Sequence, residues 1–201
     1  MISQRLEDGC LTLTLDRADK ANSLTSAMLT QLIAAIDGCP EDLYAVVLTG
    51  AGEKVFSAGA DLEEAHAGLA TSPLWEELSG KIAALPCLTL AALNGTLAGG
   101  AFGMALACDI RIAAPHAKFF YPVAKLGFLP QPSDPARLAA LIGPAHAKMI
   151  LAGAQKITAE TALTWGLIEE ISETPLDRAQ AIVGALAGAD PAHIARIKAM
   201  V

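Results

Sequence analysis

Leu88-Thr89-Leu90-Ala91-Ala92-Leu93-Asn94-Gly95-Thr96-Leu97-Ala98-Gly99-Gly100-Ala101-Phe102-Gly103 is the stretch whose reading decides the fold. Residues 88–93 carry no charge and read as a buried strand. Asn94-Gly95 marks a turn. Gly99 then opens a helix that runs to about Cys108. The wider apolar run, 82–108, invites comparison with a membrane span. Pro86, Asn94 and the glycines cut it into pieces shorter than the roughly 20 residues a bilayer requires. Strand, turn and helix in quick succession point to an α/β core instead.

The rest of the chain repeats that alternation. Residues 10–15 alternate Leu and Thr, as a half-buried strand does. Met28, Leu29, Leu32, Ile33 and Ile36 recur at helical spacing, and Gly38 closes that helix. Residues 45–49 form a short β-rich run ending at Gly50, and 73–85 read as a helix with Pro73 in its first turn. Strands are expected at 110–113 and 118–121. Helices follow at 135–142, 145–151, 159–165, 176–186 and 191–200. The fold class is therefore α/β. No sequence repeat and no low-complexity linker stands out, so 201 residues make one domain.

Composition narrows the function. Hydrophobic residues make up 53% and charged residues 17%, enough to build a core and too apolar for a disordered chain. The net charge is −7 and no Lys/Arg cluster occurs, so the electrostatic footprint of a nucleic-acid binder is missing. Cys10, Cys39, Cys87 and Cys108 have neither metal-ligand spacing nor a dense disulfide framework. The N-terminus has Arg5, Glu7 and Asp8 and no apolar signal region. The expectation is a soluble, cytoplasmic protein with no nucleic-acid partner and no membrane association.

Several catalytic motifs fail. Thr49-Gly50-Ala51-Gly52 follows a strand, but the dinucleotide fingerprint needs a third glycine where Val55 stands. Neither a phosphate-binding G-x-x-x-x-G-K-[ST] nor a G-x-S-x-G elbow occurs. His66, His116, His146 and His193 are scattered without metal spacing, and no metal is expected. Two turns of small residues remain, Phe56-Ser57-Ala58-Gly59-Ala60-Asp61 and the one after Leu93. Small residues let a ligand approach the main chain. A glycine pair at a helix start leaves N–H groups free at the positive end of the helix dipole. Two such donors converging would stabilise an enolate oxygen. Tight strand–helix packing is the competing explanation for the same glycines.

The chain resembles the crotonase family, also called the enoyl-CoA hydratase/isomerase superfamily, from about Leu11 to the C-terminus. The likeness rests on Asn22-Ser23-Leu24, the run 46–50, Phe56-Ser57-Ala58-Gly59-Ala60-Asp61, Asn94-Gly95 with Gly99-Gly100, Cys108-Asp109, Lys125-Leu126-Gly127, and Ala162 with Trp165-Gly166-Leu167. The resemblance implies a spiral of ββα turns over 1–140 with a helical C-terminal region over 141–201. It implies a homotrimer or dimer of trimers. It implies acyl-CoA thioester substrates of the kind met in fatty acid metabolism, with coenzyme A as part of the substrate and no separate cofactor. It places oxyanion donors at the N–H groups of Ala60 and Gly100. It also places Ala58, Asp61 and Leu62 along the CoA, Lys54 near its phosphates and Tyr121 among the substrate contacts.

The pattern breaks at two positions. Hydratases of this family use two glutamates to hold water and move protons. The matching residues here are Gly103 and Val123, and neither can do proton work. Glu76 and Glu77, on the helix before the second turn, and Gln131 are candidate substitutes. Lys125 and Asp134 lie nearby in sequence. The chain also stops where most relatives continue with further helices. Decarboxylation fits an oxyanion hole without the acid–base pair, since loss of carbon dioxide creates an enolate with no protein base. Isomerisation or hydration needs a substitute carboxylate. An acyl-CoA-binding or partner-binding subunit without turnover is the alternative, and a purely structural oligomer is a third.

Overall fold

A computed structural model describes all residues, 1–201. The chain opens with an antiparallel hairpin, β1 (Ile2–Glu7) and β2 (Cys10–Leu15). Asp8 and Gly9 both take positive φ, 47° and 70°, as a two-residue hairpin turn of this twist demands. The hairpin's first strand was not expected. Its sequence, ISQRLE, is polar and lies exposed at a sheet edge, so it carries no hydrophobic alternation to read. Helix α1 (Ser26–Asp37) follows, capped by the Thr25 hydroxyl, which accepts from Met28 N at 3.2 Å. Then come β3 (Ala45–Gly50), β4 (Val55–Ser57), α2 (Leu62–His66) and α3 (Leu74–Ala84). The next unit is β5 (Leu88–Leu93), β6 (Thr96–Ala98), a 3₁₀ turn (Gly99–Ala101) and α4 (Phe102–Ala107). After it come β7 (Ile110–Ala113), β8 (Lys118–Phe120), α5 (Val123–Leu126) and α6 (Asp134–Leu151).

Two sheets result. The larger has the order β1-β2-β3-β5-β7-β10 and the smaller β4-β6-β8-β9, where β9 is Ile157–Thr158 and β10 is Glu170–Ile171. Each of β3, β5 and β7 hands the chain directly to β4, β6 or β8, and these second strands pair in parallel. The spiral of ββα units is therefore present in backbone although no sequence repeat marks it. A parallel sheet covered on both faces explains the unbroken apolar runs. Val46, Leu48, Ala91 and Leu93 pack into the main core. Ala45, Val47, Leu90 and Ala92 pack on the opposite face with Ala179 and Val183 of α8 (Pro175–Gly184).

The C-terminal region departs from expectation. It is largely helical, with α7 (Ala159–Trp165), α8 and α9 (Pro191–Lys198), but it also supplies β9 and β10. These extend both sheets, pairing with β8 and β7. A boundary at residue 140 would cut α6, which continues through a kink at Gly143 (φ 76°). Strands of two residues are too short to leave a pattern in sequence. No helix is long and apolar enough to cross a membrane. All four cysteines are free thiols, and burial pushes Cys108 up to about 12, which keeps it unreactive.

Arg111 ties the helix of the second turn to the C-terminal region. Its side chain is buried and donates from Nη1 to Cys108 O at 2.6 Å, from Nε to Leu167 O at 2.9 Å and from Nη2 to Glu169 Oε1 at 2.6 Å. Replacing it with Met would strand two buried carbonyls while keeping most of the volume. We expect Arg111→Met to cost about 3 kcal/mol in urea unfolding. A loss below about 1 kcal/mol would mean that water satisfies those carbonyls.

Candidate functional site

The two turns named from sequence meet backbone to backbone. In the first, nearly every polar group is used locally. Ser57 Oγ donates to Asn22 O at 2.8 Å and accepts from Gly59 N at 3.2 Å. Ala58 N donates to Ala21 O at 3.0 Å, Leu24 N to Gly59 O at 2.8 Å, and Asp61 N to Leu24 O at 2.8 Å. The N–H of Ala60 is left over by this bonding. Asn22 and Asn94 staple the loop before the turn. Asn22 Nδ2 donates to Ala51 O and Val55 O at 2.9 and 2.8 Å, and Asn94 Nδ2 donates to Gly52 O at 2.8 Å.

The second turn is pinned to the first by the pairing of β4 with β6. A Cβ on Gly95 would lie 2.1 Å from Lys54 O, so only glycine permits this approach. At the tip, Gly59 has φ +90°, and a Cβ there would lie 3.0 Å from Ala98 O and 3.4 Å from Gly100 N. Gly99 has φ +58° and turns the chain into the 3₁₀ turn. The Gly100 N–H falls in the first turn of that helical segment, ahead of any intrahelical acceptor. The indole of Trp75 packs on Gly100, with ring atoms 3.3 Å from where a Cβ would stand, and its Nε1 donates to Leu69 O at 2.7 Å.

Both turns open onto one cleft of about 150 Å³. Ala58, Ala60, Leu62, Gly99, Gly100, Tyr121 and Gln131 line it, with an apolar wall that includes Trp75, Phe120, Val123 and Phe128. Leu62, Leu126 and Leu129 at its margin are exposed. A roomier polar recess of about 650 Å³ lies between the β1–β2 hairpin and α8 and shares no residue with the turns. Lys54 does not line the cleft; its carbonyl accepts from Thr96 N at 3.0 Å. The Asp61 carboxylate is engaged too. It caps α2 through Glu63 N and Glu64 N and takes Arg17 Nη1 at 2.8 Å, and the Arg17 bond leads the effects holding it below the usual carboxylate range.

The substitutes for the missing glutamates sort themselves differently. Glu76 faces Ser133, accepting from its N–H at 3.1 Å and from its hydroxyl. Burial pushes Glu76 up, but those two bonds and Arg137 outweigh it and hold the carboxyl below its ordinary value. Glu76 is not among the cleft's lining residues, and neither is Glu77. Gln131 lines the cleft and donates from Nε2 to Ala70 O at 3.2 Å.

Asp134, in the sequence only a neighbour of the candidate residues, is the carboxyl that the structure places behind Tyr121. It has no solvent exposure. Its Oδ2 accepts from Tyr121 Oη at 2.9 Å, and its Oδ1 has no hydrogen-bond partner. The Tyr121 hydroxyl also accepts from Gln131 N at 3.3 Å, and its ring stacks on Phe102 at 5.3 Å. Burial above all pushes Asp134 up to about 7, against the Tyr121 bond and Arg137, with Glu76 adding to the rise. Burial and then Asp134 raise the Tyr121 hydroxyl far above its ordinary range. A Cβ on Gly103 would lie 3.0 Å from Asp134 Oδ1. The carboxyl of α6 thus occupies the space beside Gly103 of α4, the position for which the family resemblance implies a glutamate. In sequence, Ser-Asp-Pro at a helix start reads as a solvated cap, which hides the burial. None of the histidines lines the cleft. His116 Nε2 pairs with Glu53 O at 2.7 Å, His146 stacks on Trp165, and no His/Cys/Asp/Glu cluster could hold a metal.

Parallel ββα units and a cleft between two glycine turns define a crotonase-like α/β protein. The chain belongs to the enoyl-CoA hydratase/isomerase family, whose model matches residues 5–201. It is 36% identical over 199 residues to a carnitinyl-CoA dehydratase of Salmonella arizonae, covering 94% of this chain and 75% of that protein. It superposes on Pseudomonas aeruginosa DspI with a TM-score of 0.91 at 30% identity, covering 99% of this chain and 85% of that one. An enoyl-CoA hydratase from Bacillus anthracis gives 0.89 at 32% identity, with 98% and 80% covered. Members of this family are hydratases, lyases and isomerases, and several relatives are named for acyl-CoA substrates.

Proposed function

We propose that the chain binds an acyl-CoA thioester with its carbonyl oxygen between the N–H groups of Ala60 and Gly100, and that it stabilises the enolate formed there. The observation that carries this reading is the backbone contact between the two turns, 3.4 Å from a Gly59 Cβ position to Gly100 N, at the wall of an apolar cleft. Fixed N–H dipoles in a water-poor cleft stabilise developing negative charge better than water does, because they need no reorganisation. The acyl chain would lie against Trp75, Phe120 and Val123. Ala58 and Leu62 would border the pantetheine, with Lys54 and Asp61 toward the CoA end.

With Gly103 and Val123 at the glutamate positions, hydration through the family's paired carboxylates is not expected. Decarboxylation of a thioester bearing an α-carboxylate is the reaction that best suits the remaining groups. The test is calorimetry with acetyl-CoA. Saturable binding is expected, weakened at least about tenfold by Gly100→Val, whose Cβ alone would stand 3.3 Å from the Trp75 ring. No binding by the parent chain, or equal binding by the variant, overturns the reading. The replaced glutamates also favour a second reading, an acyl-CoA-binding subunit without turnover. Binding without conversion of any acyl-CoA in a broad panel would select it.

A further inference from the structure

We propose that Tyr121 and Asp134 form a proton-transfer pair serving the α-carbon of the thioester, Tyr121 as the catalytic residue at the cleft and Asp134 as the positioning residue behind it. The inference rests on the enolate reading above.

Four observations carry it. Tyr121 lines the cleft although its side chain is almost wholly buried, and Asp134, which does not line it, has no solvent exposure at all. Their 2.9 Å bond connects the cleft wall to a carboxyl that solvent cannot reach. Asp134 Oδ1 has no partner at all. A buried acceptor needed only to fix a tyrosine could be Asn or Ser. A carboxyl with one bare oxygen costs several kcal/mol more when ionised. Gly103 supplies the remaining observation, because any side chain there would press on Asp134 Oδ1 at 3.0 Å. The glycine at the vacant glutamate position and the carboxyl beside it fit each other.

The step balances in both directions. In abstraction, the Cα–H bond of the thioester breaks and its proton passes to Tyr121 Oη. The original tyrosine proton moves to Asp134 Oδ2. The carbon electron pair delocalises onto the thioester oxygen, and Asp134 becomes neutral. In protonation of an enolate, as after loss of carbon dioxide, Tyr121 gives its proton to carbon and Asp134 restores it, ending as carboxylate. The charged and titratable groups facing Asp134 are Tyr121 from the end of β8, Glu76 from α3 and Arg137 from its own helix. An aspartate held near neutrality can supply either form at working pH.

The experiment follows α-proton exchange of butyryl-CoA in deuterium oxide by mass spectrometry from pH 5 to 9, with calorimetry of the same thioester alongside. The parent chain should exchange with a rate that rises with the ionised fraction of Asp134, with its midpoint near pH 7 and a plateau above about pH 8. Asp134→Asn, an isostere that still accepts from Tyr121, should slow exchange roughly 100-fold and erase that inflection while binding stays within about threefold. Tyr121→Phe should likewise slow exchange roughly 100-fold and erase the inflection, and it settles the matter if the first variant does not fold. Binding without exchange in the parent, or an unchanged profile in either folded variant, overturns the pair. Absence of binding by the parent instead removes the enolate reading on which the pair depends.

Discussion

Gly95→Ala should destabilise the protein by more than about 3 kcal/mol, lowering Tm by roughly 6–12 °C, and should abolish thioester binding. The added methyl would sit 2.1 Å from Lys54 O, 2.2 Å from Lys54 C and 2.6 Å from Val55 N. These are backbone atoms of the strand next door, so no rotamer change relieves the overlap. The only escape is to part β6 from β4. That pairing includes Thr96 N to Lys54 O at 3.0 Å and sets where both turns stand. Stability and binding should therefore fall together. Gly80→Ala is the matched control. Gly80 lies inside α3 with open space around its Cβ position, so alanine there should stabilise by up to about 1 kcal/mol. Urea unfolding of the two variants reads both effects. Gly95→Ala within error of the parent would mean that β4 and β6 do not approach as described.

The legibility of this fold follows the same physics. β5 and α1 could be placed closely because burial on two faces or on one stripe writes itself into side-chain pattern. β4, β6, β9 and β10 escaped because two or three residues are too few for any period, and β1 because an exposed edge has no reason to alternate. Of the small sheet only β8, marked by Phe119 and Phe120, could be placed, near 118–121, even though the sheet positions both turns. The site divides likewise. Glycines at Gly59, Gly99 and Gly100 announce backbone approach, since little else tolerates their φ values or contacts. Asp134 announces nothing. Its burial depends on Tyr121 and Gly103 arriving from two other segments, a conjunction no local pattern encodes. Glu76 had the better sequence case, on the helix beside the second turn, yet Ser133 engages its carboxylate.

Gly103→Glu restores a carboxyl at the family's α4 position, and it should fail alone. Its Cβ would stand 3.0 Å from Asp134 Oδ1 and 3.6 Å from Ser79 Cβ, in a place without solvent. The side chain must displace Asp134 or share its space as a second buried carboxyl, and two such groups cannot both ionise there. Overpacking and like charge together should cost about 3–5 kcal/mol above pH 7. Asp134→Gly alone should cost roughly 1–3 kcal/mol, because the Tyr121 hydroxyl loses its acceptor. Combined, the two changes should be far less harmful than their sum, with a coupling of at least about 2 kcal/mol. The glutamate would then occupy the vacated volume and could accept from Tyr121. A double-mutant cycle by urea unfolding at pH 8 measures that term, and repeating it at pH 5 separates its parts. The charge component shrinks as the carboxyls take up protons, while the steric component persists. Additive losses would show that Asp134 does not fill the space left by Gly103, and the proton-transfer pair would lose its structural basis. Strong coupling would show that the space between α4 and α6 accommodates a single carboxyl, which Asp134 supplies in this chain.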